Sequence, residues 1–183
     1  MGEYYLIAQL PSLDGVNANE PIPITEQRFL ELCSQFLAKK VWQDLQKVTL
    51  VPSVEPEKSK SSLLQAWWAG ERNLRLALGK VRAEKRSKVF DLQDISLPEE
   101  LYRVATAAVG IGNPLEAEIF LLNHRLSFLE TLRPMDPFSE EFVFYYALKL
   151  KMLLRIKQFD TKTGEATYQN IYSSILHGDR LEA

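Results

Sequence analysis

The sequence predicts an all-α fold, a bundle of about six to eight helices joined by short loops. Three observations carry the prediction. Apolar residues return at three- and four-residue intervals in segment after segment. Several of these runs open on a helix-start signal: Thr25, Ser96-Leu-Pro-Glu-Glu, Asn113-Pro-Leu-Glu or Pro137-Phe-Ser-Glu-Glu. Most are followed by proline, glycine or a short polar stretch. The 183 residues are 46% hydrophobic and 25% charged, the balance of a folded globular chain. That length suits a single helical domain over 1–183, with subdivision expected near 52–60 and 89–97.

The first segment, 3–10, is a short apolar run ended by Pro11, and periodicity alone fits either a strand or a helical turn. Ser12 to Pro23 reads as a loop. Thr25 then caps a helix over about 25–38, with Phe29, Leu30, Leu32, Cys33, Phe36 and Leu37 on its apolar stripe. Val41, Trp42, Leu45 and Val48 predict a shorter helix or a continuation. Residues 52–60, Pro-Ser-Val-Glu-Pro-Glu-Lys-Ser-Lys, form the clearest linker.

Ser61 to about Lys88 is the longest helical pattern, with Leu63, Leu64, Trp67, Trp68, Leu74, Leu78 and Val81 on one wide face. At least one of the two tryptophans is expected inside. Gly70 weakens this helix, so a close helix approach is its expected reason. Ser96-Leu-Pro-Glu-Glu starts the next helix, through Leu101, Val104, Ala105 and Ala108 to Gly110-Ile111-Gly112. Asn113-Pro114-Leu115-Glu116 has the form of a capping box, opening a helix with Ile119, Leu122, Leu126 and Leu129. Pro137-Phe138-Ser139 opens another, whose core face is Phe142, Tyr145, Tyr146, Leu148, Met152, Leu153 and Ile156. Asp160 to Gly164 breaks it. Tyr168, Ile171, Tyr172 and Ile175 make a last helix, with Gly178 as its stop. Trp67-Trp68-Ala69 with Leu76, and Tyr145-Tyr146-Ala147 with Leu154, share a spacing that would suit two repeated helical units.

No catalytic constellation is visible. His124 and His177 have neither a carboxylate pair nor a cysteine placed for a triad or a metal site. Cys33 lies on an apolar stripe and reads as a buried small hydrophobe. Gly110-Ile-Gly112 lacks the third glycine, the preceding strand and the lysine of a phosphate loop. Glu116, Glu118, Glu140 and Glu141 fall in first turns, where the helix dipole favours carboxylates. No cofactor, metal or small-molecule substrate is therefore expected, and no enzymatic activity.

The net charge is −2, from 22 Lys+Arg and 24 Asp+Glu, which argues against a chain coated in nucleic acid. The exception is a local basic cluster: Arg72, Arg75, Lys80, Arg82, Lys85, Arg86 and Lys88. It reads either as a solvated face or as a docking surface for an acidic protein or RNA. Its partner-binding candidates are Arg72, Arg75, Lys80 and Arg82. With neither a signal-peptide n-region nor an apolar stretch of spanning length, the expected location is the cytoplasm.

The segment Gly70-Glu71-Arg72-Asn73-Leu74-Arg75-Leu76-Ala77-Leu78-Gly79-Lys80 resembles a recurring motif of the C-type central-stalk family of V-type and A-type ATPases, called d-type in eukaryotes. Arg72, Asn73, Leu74, Arg75 and Lys80 fall on that pattern. Glu71 stands one residue later than the family's usual acid, and the chain is shorter than typical members. As a whole it is similar to a group of bacterial proteins opening Tyr-Tyr-Leu-x-Ala-x-Leu-Pro, here Tyr4 to Pro11, whose genes lie among V-type ATPase genes. The resemblance implies an all-α, non-enzymatic accessory or central-stalk coupling subunit of a bacterial rotary ATPase. It would contact rotor or stalk subunits and meet the membrane only through the complex. The alternative is a helical adaptor binding an acidic protein or RNA through 72–88.

Overall fold

The computed structural model describes residues 2–16, 21–51, 59–88, 90, 96–159 and 168–175. Among them are eight helices and no strand, so the fold is all-α as the sequence predicts. The helices are α1 (Gly2–Gln9), α2 (Glu26–Phe36), α3 (Lys39–Gln46), α4 (Ser62–Lys85), α5 (Glu99–Gly110), α6 (Pro114–Thr131) and α7 (Glu140–Lys157), followed by α8 (168–175). Most of the two expected subdivisions, residues 52–58, 89 and 91–95, lies outside the described residues. So do 17–20 of the first loop, the break at Asp160 to Gly164, His177 and Gly178.

The opening apolar run is helical. Leu6 is fully buried, and α1 lies so close to the end of α2 that a Cβ on Gly2 would stand 2.1 Å from the Phe36 carbonyl oxygen. Thr25, Ser61, Asn113 and Ser139 accept from backbone N–H groups within the first turn of α2, α4, α6 and α7, the capping expected of Thr25 and Asn113. Helix α5 starts within Ser96-Leu-Pro-Glu-Glu as expected, with Pro98 as its N-cap, no side-chain cap bond, and Glu99 and Glu100 in the first turn. The Glu116 carboxylate accepts from the Asn113 side-chain amide at 3.1 Å. The α4 helix ends at Lys85 rather than near Lys88, because Ser87 turns into the left-handed region at φ 53°.

The largest departure concerns α7. A single core face is expected there, yet 143–150 are buried around the whole circumference, Lys149 included. Helices α3, α4 and α6 all pack against it, which covers these residues from several sides at once. Two apolar cores result. The main one joins α1, α2, α3, the first half of α4, α6 and α7. Within it Phe29 stacks on Tyr146 with ring centroids 5.3 Å apart, and Trp67 on Phe128 at 6.1 Å. The smaller core holds Leu74, Ala77, Leu78 and Val81 of α4 against Ala105, Ala108 and Leu121. Helix α4 runs through both.

Candidate functional site

The basic cluster occupies the outer half of α4, and its chemistry begins with an acid. Glu71 is 2% exposed. Its carboxylate accepts from Arg125 Nε at 2.8 Å and Arg125 Nη2 at 2.9 Å, a bidentate pair across to α6. It also accepts from Arg75 Nε at 2.9 Å, one turn along α4. Arg125 is nearly buried, with a side chain 12% exposed, whereas that of Arg75 is 44% exposed. The Glu71–Arg75 spacing is legible in the sequence. The burial is not, and it turns a surface pair into an internal clamp joining α4 to α6.

Beside the clamp a cleft of about 550 Å³ opens between α4, α6 and the start of α5, lined by Glu71, Leu74, Leu101, His124 and Phe128 among others. Gly70 shapes its wall. A Cβ there would stand 2.4 Å from the Phe128 ring, so glycine lets that ring close on α4. This is the close helix approach expected of Gly70. Burial pushes the His124 imidazole below its ordinary pKa of 6.5, against the pull of Glu100, and it is neutral at pH 7.

The four candidate residues do not share one surface. At about 100° per residue, Arg75 and Arg82 lie within about 20° of each other, Arg72 about 60° away, and Lys80 about 140° from Arg75. Arg75 is engaged by Glu71. The Lys80 ammonium sits 5.4 Å from the centre of the Tyr102 ring on α5, a cation–π contact. Arg82 is exposed and Arg72 half-buried, and neither makes an ion pair among the described residues. Lys85, Arg86 and Lys88 extend the exposed charge at the end of the helix.

A second charged cluster has no local signal in the sequence. Lys149, 8% exposed, reaches Asp14 at 2.7 Å, Glu130 at 2.7 Å and the Tyr145 hydroxyl at 3.2 Å. Arg133 joins Asp14 at 3.2 Å. This network ties the segment after α1 to α6 and α7, and each charge in it has an opposite neighbour. Cys33 is buried, and burial pushes its thiol up to about 12, which leaves it inert at neutral pH. No group of His, Cys, Asp and Glu able to hold a metal occurs among the described residues. None of their helices is long and apolar enough to cross a membrane. Trp67 and Trp68 are both buried, at 1% and 5% exposure, and belong to the core.

The arrangement offers recognition chemistry: fixed guanidinium groups, a neutral imidazole and an apolar cleft. No family model, curated protein or solved structure matches the chain.

Proposed function

We propose that this chain is a non-enzymatic coupling or accessory subunit of a bacterial V-type rotary ATPase, similar in role to the C-type central-stalk proteins. It contacts rotor or stalk subunits and reaches the membrane only through the assembled complex. One observation carries the reading. Within and just beyond the stretch that resembles the central-stalk motif, the charges divide into internal and outward sets. Glu71 and Arg75 build the fold, while Arg72 and Arg82 are left without an ion pair among the described residues. The all-α architecture suits the same reading. In it Arg72 and Arg82 meet carboxylates of the partner, Arg75 lies beside them from its bond to Glu71, Lys80 stands on the α5 side against Tyr102, and the cleft beside Leu74 supplies the apolar anchor that exposed pairs alone lack.

The test is co-purification of rotary-ATPase subunits with the tagged chain from native membranes. Charge reversal at R72E/R82E should lower recovery at least about tenfold at low salt, with the difference shrinking as salt rises. Circular dichroism of the double variant checks that it is folded. Undiminished recovery with the folded variant removes this surface from the interface. The second reading, an adaptor for another acidic protein or for RNA, draws on the exposed Lys85, Arg86 and Lys88. Salt-sensitive RNA binding without ATPase subunits would favour it.

A further inference from the structure

Helix α8 has no core. Its sequence, Tyr-Gln-Asn-Ile-Tyr-Ser-Ser-Ile, places Tyr168, Ile171, Tyr172 and Ile175 on one face at helical spacing. These four side chains are 63%, 55%, 51% and 60% exposed. An isolated helix of this length is marginal in water, because nucleation is costly and few backbone bonds repay it. A surface that accepts its apolar face is therefore required for it to persist.

The same chain carries such a surface. An open trough of about 740 Å³ runs between α2, α3 and α7, with Phe29, Leu30, Trp42, Leu45, Ala147 and Leu150 on its floor. Glu26, Glu31 and Lys151 stand at its rim. The Glu26–Lys151 ion pair separates it from a smaller hollow of about 280 Å³ that continues to Gln158, at the end of α7. The hollow and trough together follow α7 from Ala147 to Gln158, about 17 Å, whereas α8 is about 12 Å long.

We infer that the apolar face of α8 docks in this trough of its own chain, antiparallel to α7. Three features select that occupant. The eight residues Asp160 to Thr167 join the end of α7 to α8, and such a length reaches at most about 26–29 Å, enough to return along the trough. Helix α8 carries no charged side chain, so docking buries no unpaired charge. Its two tyrosine hydroxyls are donors, and the rim offers the carboxylates of Glu26 and Glu31 as acceptors. A short tether also gives an effective concentration near the millimolar range, which favours the chain's own trough over that of a second copy.

Hydrogen exchange of the full chain, read by mass spectrometry, tests the inference. Amides of 168–175 should exchange at least about tenfold more slowly than coil, independent of protein concentration. In L30E that protection should be lost while α7 stays protected. Coil-like exchange in the unaltered chain overturns the docking. So does unchanged protection in a folded L30E, and so does protection that grows with protein concentration, which assigns α8 to a second copy. If L30E also exposes α7, the variant I171E/Y172E replaces it. Trp42 should then become more accessible to acrylamide, since Trp67 and Trp68 are buried. Unchanged quenching of that variant overturns the inference as well.

Discussion

Replacing Glu71 by alanine leaves Arg125 nearly buried without its carboxylate, and the variant should lose about 3–5 kcal/mol of stability. Arg75→Ala removes a partner that is almost half exposed and should cost less than about 1 kcal/mol. Urea denaturation of the two variants reads the difference, and equal losses would deny Arg125 its part in the clamp. The Lys149 network makes a prediction in pH. The hydrogen bond from Lys149 holds the Asp14 carboxyl below its ordinary 3.8. Burial works against the charge of Lys149, but Asp14, Glu130 and Tyr145 outweigh it and its pKa is raised. A carboxylate whose folded pKa is depressed stabilises the fold fully above its unfolded value and loses that contribution as pH falls through the folded one. A lysine whose folded pKa is raised behaves oppositely: its contribution is complete below the unfolded value and is lost as pH rises through the folded one. Asp14 therefore acts above about pH 4 and fades below it, while Lys149 fades only above about pH 10.5. In D14N the fall of stability below pH 4 should become shallower, by less than about 1 kcal/mol because Asp14 is half exposed. Urea midpoints taken from pH 2 to 6 measure it, and an unaltered acid slope would count against the Lys149 bond.

Helix α4 is started twice over, by its own Ser61 and by Glu141 of α7. The Glu141 carboxylate accepts from the Ser61 hydroxyl at 2.6 Å, the Ser62 N–H at 3.0 Å and the Leu63 N–H at 3.3 Å. Glu141→Ala should cost about 1–3 kcal/mol, more than its placement in the first turn of α7 alone would suggest. Thermal denaturation beside E140A, whose residue lies outside this bonding, separates the two roles. This helix pair also shows what a sequence can and cannot reveal. Periodicity and start residues are local, and they locate α2 and α4 to α7 to within a few residues, as well as the burial of Cys33 and of at least one of Trp67 and Trp68, though not that both are inside. Contact between distant segments leaves no local trace. Glu141 reaches Ser62 across 79 residues, and Arg125 reaches Glu71 across 54. Lys149 looks like any lysine on a helix until Asp14, from the segment after α1, and Glu130, from α6, close on it. At the candidate site the basic run is therefore visible in the sequence, whereas the diversion of Lys80 to Tyr102 and of Arg75 to a buried acid needs the partners in place.

Across the molecule, stability should be uneven. Helix α5 belongs to the smaller core and packs on α4 and α6 alone among the strongest helix contacts, while α7 is enclosed by the main core. Amides of α5 should therefore exchange at least about tenfold faster than those of α7 under native conditions. Exchange at one common rate in both helices would show instead that the two cores open together. Helix α4 is the element that must serve both: Leu63 to Trp68 fill one core, and Leu74 to Val81 fill the other. That shared helix constrains how the lineage can vary. One residue inserted between Trp68 and Leu74 would swing the whole smaller core through about 100° and displace it by about 1.5 Å, breaking every contact on one side or the other. Length changes should therefore accumulate in the connections between helices, while α4 changes by near-whole numbers of turns or not at all.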